Sequence, residues 1–72
     1  MNPTKHFVIC LKNTGFEVSL ETRKIYETLP DQAAFKHHQV RIVDESGEDY
    51  LYPADIFIEV PQALETALSQ AA

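Results

Sequence analysis

Val40-Arg41-Ile42-Val43-Asp44-Glu45-Ser46-Gly47-Glu48-Asp49-Tyr50-Leu51-Tyr52-Pro53-Ala54-Asp55-Ile56-Phe57-Ile58-Glu59-Val60 is the stretch that decides the fold. It reads as strand, acidic turn, strand, one tight helical turn and a last strand. Val40 and Ile42 share one face of the first strand. Asp44 to Gly47 turns the chain, with Gly47 free to take a positive φ. Asp49-Tyr50-Leu51-Tyr52 returns. Pro53 lacks a ladder donor and carries a pre-set φ, so Pro53-Ala54-Asp55 breaks the ladder as a helical turn. Ile56 to Val60 then closes as a short strand.

Upstream, His6-Phe7-Val8-Ile9-Cys10-Leu11 is an apolar run of β-formers and predicts a strand. Lys12-Asn13-Thr14-Gly15 is turn chemistry. Phe16, Val18 and Leu20 alternate with Glu17, Ser19 and Glu21, which predicts a second strand with one wet face, hairpinned to the first. Over Thr22 to Leu29, residue types favour a strand, while the spacing of Leu20, Ile25 and Leu29 leaves a helix open. Pro30 ends that element. Asp31 is a good N-cap for a short helix from Gln32 to His37 that contains Ala33, Ala34 and Phe35.

Downstream, Pro61 opens a C-terminal helix over 61–72. Leu64, Ala67, Leu68 and Ala71 form its apolar stripe, and Glu65, Thr66, Ser69 and Gln70 face away. A helix of this length is not stable alone and either docks on the barrel or on another chain, or stays frayed. Residues 1–5 read as a tail, and the whole of 1–72 as one domain.

Composition bounds the function. Seventy-two residues bury only a small core. A single cysteine, Cys10, excludes an internal disulfide and points to a reducing cytoplasm. No apolar run is long enough to span a membrane. The net charge is −5, from 11 acidic and 6 basic residues, and no Lys/Arg cluster offers a face for nucleic acid. The expectation is a monomer or weak homo-oligomer with a protein partner and no cofactor.

From Gly47 to Val60 the pattern resembles the end of an SH3 domain. There a distal hairpin leads into a proline-led 3₁₀ turn, here Pro53-Ala54-Asp55-Ile56, and a short closing strand, here Phe57-Ile58-Glu59-Val60. The resemblance implies a mainly β fold: a small SH3-like β-barrel of about five strands, with a short insertion helix and a C-terminal helix. The wider stretch also resembles small bacterial proteins of no established activity. Signalling SH3 domains hold proline-rich peptides with a tryptophan, an alanine-leucine-tyrosine motif and a tyrosine after the 3₁₀ proline. This chain has no Trp, lacks that motif and carries Ile56 at the tyrosine position. Only Pro53 carries over as a groove residue.

Candidate chemistry is sparse. Asp44, Glu45, Glu48 and Asp49 ring one turn, either as a solubilising hairpin tip or as a patch for a cation or a basic partner. Their spacing does not match a calcium loop. His6, His37, His38 and Cys10 are metal-ligand types without metal-ligand spacing. Cys10, amid Val8, Ile9 and Leu11, reads as a buried hydrophobe. With two glycines there is no phosphate loop, and no nucleophile motif surrounds any serine. Tyr26, Phe35, Tyr50, Tyr52 and Phe57 either pack the core or supply a contact surface. These readings predict a non-enzymatic interaction module that binds through Tyr50, Tyr52, Pro53 and the acidic turn. The alternative is a small acidic regulator or accessory subunit of a larger enzyme or redox complex, docking through Leu64 and Leu68.

Overall fold

A computed structural model describes residues 6–70. The expected tail over 1–5 and the end of the C-terminal helix with Ala71 lie outside the described residues. The elements are β1 His6–Cys10, β2 Ile25–Leu29, α1 Gln32–Lys36, β3 Gln39–Val43, β4 Asp49–Pro53, a 3₁₀ turn Ala54–Ile56, β5 Phe57–Glu59 and α2 Gln62–Gln70. The fold is mainly β, with five antiparallel strands in one sheet of order β4-β3-β2-β1-β5. No ladder joins β4 to β5, so the sheet is open. The 3₁₀ turn, led by Pro53 at φ −58, lifts the chain off β4 and delivers β5 to the far side of β1.

Register puts one residue parity on the core face. Val8 lies opposite Tyr26, Thr28 opposite Ile42, and Val40 opposite Tyr52. Val8, Cys10, Tyr26, Ile42 and Tyr52 are all buried, and Leu20 joins them from outside the sheet. Leu20, Ile42 and Cys10 are fully enclosed. Burying a leucine or isoleucine contributes roughly 1.5–3 kcal/mol, so a few such side chains dominate a core this small.

The hairpin at Asp44–Gly47 follows its expected chemistry. Gly47 sits at φ +84, and the Asp44 carboxylate accepts from the Ser46 N–H at 2.9 Å, an Asx turn. Asp31 caps α1, its carboxylate accepting from the Ala34 N–H at 2.9 Å. Thr22–Leu29 resolves to a strand over its second half and not to a helix.

Residues 16–20 and the inward face of α2 both depart from expectation. Phe16 to Leu20 is not a strand. The Phe16 N–H donates to the Asn13 carbonyl at 2.7 Å and the Leu20 N–H to the Phe16 carbonyl at 2.9 Å, while the Asn13 side-chain amide donates to the Leu20 carbonyl at 2.9 Å. These local bonds wind residues 13–20 into successive turns, with Gly15 at φ +88. Phe16 and Leu20 point inward one helical turn apart, and Val18 between them is 98% exposed. β1 therefore pairs with β2 across a long loop, residues 11–24, and not with residues 16–20.

The second correction concerns α2, which is rotated from its expected face. Glu65 is buried and Leu64 and Ala67 are exposed, with Leu68 half-buried. The Glu65 carboxylate accepts from the Phe7 N–H at 2.9 Å and lies 3.3 Å from His6 Nδ1. β5 ends at Glu59, and the last contact from that side is the Val60 N–H to the Phe7 carbonyl at 3.3 Å. The N–H of Phe7 would otherwise lose its partner. Leaving that part-buried donor unpaired would cost about 1–3 kcal/mol, and the Glu65 carboxylate occupies the inward face in place of Leu64.

Candidate functional site

The two ends of the core face are built differently. At one end the loop 11–24 folds over the sheet and meets the Asp44–Gly47 turn. The Glu45 N–H donates to the Ser19 carbonyl at 3.1 Å. Tyr26 Oη donates to Glu45 Oε2 at 2.6 Å and accepts from the Glu21 N–H at 2.7 Å. Lys24 Nζ lies 2.6 Å from the same Glu45 oxygen. Beneath them, Tyr52 Oη donates to Asp44 Oδ2 at 2.6 Å, and Ser46 holds the other oxygen.

These contacts set the protonation of the groups involved. Burial pushes Asp44 upward, but hydrogen bonds from Ser46 and Tyr52 together outweigh it and hold the carboxyl below its ordinary value. Hydrogen bonds from Lys24 and then Tyr26 hold Glu45 low. Burial first, and then the neighbouring carboxylates, push the Tyr26 and Tyr52 phenols above their ordinary range.

The predicted binding residues therefore do not form one surface. Tyr52 is a core residue, packed edge-on against Phe16 at 5.1 Å and Phe57 at 6.2 Å between ring centres. Asp44 is buried beside it. Glu45 ties the loop to the turn, and Asp49 pairs with Arg41 at 2.9 Å. Pro53 is half-buried at the head of the 3₁₀ turn. Tyr50 and Glu48 remain exposed.

The other end of the core face is open. β1 begins there, β2 ends, β3 begins and β5 ends, with α1 and α2 on either side. Between the helices lies a groove of about 510 Å³, within the size range of ligand sites. Val8, Thr28 and Val40 form its floor, Leu29 and Phe35 the α1 side, and Val60 with Glu65 the α2 side. Phe35 is 78% exposed. On the α1 rim, Arg41 bonds Asp31 Oδ2 through Nε at 3.0 Å and Nη2 at 2.9 Å while also holding Asp49. On the opposite rim Glu59 takes part in none of the ion pairs among the described residues.

Sequence reasoning placed Phe35 in α1 but missed the groove and its carboxylates. The one available signal was Asp31 ahead of an apolar residue that a single helical turn cannot bury. Among the described residues, no three His, Cys, Asp or Glu side chains converge on a metal-holding position. Cys10 is enclosed, burial raises its thiol pKa, and Sγ donates to the Lys12 carbonyl at 3.2 Å, which suits packing over reactivity. No helix among the described residues is long and apolar enough to cross a membrane.

Compared with family models, curated proteins and solved structures, the chain matches none.

Proposed function

We propose that this chain is a non-enzymatic protein-interaction module, a small SH3-like barrel of the bacterial cytoplasm that holds its partner in the groove between α1 and α2. Supporting the SH3-like reading are the strand order and the proline-led 3₁₀ turn that sets β5 beside β1. Supporting the cytoplasm is the single cysteine, enclosed in the core. The observation that carries the groove is Phe35, a large aromatic left exposed on the rim of an apolar concavity. Rigid aromatics beside a pocket are the side chains that dominate binding energy at protein interfaces.

A photo-crosslinking residue placed at position 35, 50 or 64 in cells that carry the protein tests this reading. The expected result is one discrete adduct from position 35, with Phe35→Ala weakening the purified complex about tenfold. An adduct from position 50 alone refutes the groove and returns the site to Tyr50 and the acidic turn.

A second reading has its own observation. Leu64 is 39% exposed on α2, in the same stripe as the exposed Ala67 and half-buried Leu68. An accessory subunit docking through this helix yields its adduct from position 64 and loses its partner on Leu64→Asp.

A further inference from the structure

We infer, building on the reading of this groove as the interaction site, that its occupant is a short extended peptide segment with a lysine or arginine between apolar side chains. The apolar requirement follows from exposed Phe35 and half-buried Leu29 and Val40, with Val8 and Val60 buried beneath them. The cationic requirement follows from charge. Asp31, Glu59 and Glu65 line the groove against one guanidinium, that of Arg41. Arg41 is already shared between Asp31 and Asp49, so it leaves no positive charge to spare. The Glu65 carboxylate faces only the Phe7 N–H and His6. Glu59, on the exposed lip across from Phe35, has no cation at all among the described residues. A cation entering between Glu59 and Glu65 meets a local field that the chain's −5 net charge reinforces.

The extended form follows from the side-chain amides of Gln39 and Gln62, which line opposite walls and make no hydrogen bond among the described residues. Each amide offers both a donor and an acceptor, and an extended backbone presents the complementary groups.

The test uses two pools of capped heptapeptides with aliphatic or aromatic flanking residues. One pool has lysine at the centre and the other norleucine, its uncharged near-isostere. Binding to the full chain is read by fluorescence anisotropy and by backbone amide shifts. The expected result is that the lysine pool shifts the amides of Leu29, Glu59 and Val60 and binds about fivefold tighter than the norleucine pool. Glu59→Gln, a change on the exposed lip, removes most of that preference. Glu48→Gln, an exposed carboxylate at the opposite end of the sheet, leaves it intact.

Equal affinity of the two pools, with groove amides shifting in both, overturns the cationic inference and leaves the groove reading standing. A lysine preference that survives Glu59→Gln also overturns it. If neither pool moves a groove amide, the groove reading falls and this inference with it. Groove shifts that depend on protein concentration without peptide assign the site to a second copy of the chain, which overturns the inference too.

Discussion

Leu20→Ala lowers stability by about 3 kcal/mol, while Val18→Ala, two residues earlier, changes it by less than about 0.5 kcal/mol. Leu20 is fully enclosed and Val18 is 98% exposed. A leucine-to-alanine change in a core loses transfer energy and leaves a cavity, and the turns fixed by Asn13 and Phe16 leave little room for collapse around it. A chain of this size has a total stability of roughly 4–11 kcal/mol, so the loss is a large share of it. In thermal melts the Leu20 variant falls by roughly 12–24 °C. The pair distinguishes a strand from a looped arrangement over residues 16–20. A half-buried strand places Val18 and Leu20 on the same face and makes their substitutions comparable. Comparable losses therefore contradict the looped arrangement.

Asp44→Ala carries the second large effect, a loss of about 2–3 kcal/mol. The substitution strips Tyr52 Oη of its acceptor inside the core and removes the bonds from Ser46 at the same turn. Tyr52→Phe in the same background recovers part of the loss, because it removes the orphaned hydroxyl. A double-mutant cycle that shows no coupling between Asp44 and Tyr52 refutes this account.

The same network sets the pH range of stability. Asp44, Glu45 and Asp31 have folded-state pKa values below their ordinary ones. Their contribution is full above the ordinary carboxylate pKa, near 4, and is lost as pH falls through the lower folded values. Tyr26 and Tyr52 are shifted upward. Their contribution is full below the ordinary phenol pKa, near 10, and is lost as pH rises through the higher folded values. Urea unfolding across pH gives a plateau between these limits. Asp44→Asn lowers the plateau and flattens its acid limb.

Legibility in the sequence followed how local the determinants are. The β3–β4 hairpin, the 3₁₀ turn and the N-cap of α1 rest on Gly47, Pro53 and Asp31, each acting within a few residues of itself. They were readable for that reason. The alternation at Phe16, Val18 and Leu20 was real but misleading, since local backbone bonds, with one from the Asn13 side chain, replaced period two with period four. The burial of Glu65 depends on a backbone N–H 58 residues away, which no pattern within a helix discloses. The acidic turn was read as a surface because four carboxylates cluster there. Two of them are committed to tyrosines brought in by the folded chain. The groove was invisible for the same reason as Glu65. It is assembled from the ends of four strands and two helices, and none of its lining carries a motif.

In filling the position a further strand residue would have taken, Glu65 makes α2 an extension of the sheet by side chain. The helix is thereby phased to the ladder through the few residues between Val60 and Glu65. Substitutions at Gln62 or Ala63 leave that phase alone. An insertion or deletion of one residue rotates Glu65 by about 100° and breaks both of its contacts. The segment is a spacer whose length carries the information, and a chain diverging over time can change its letters there far more freely than its count.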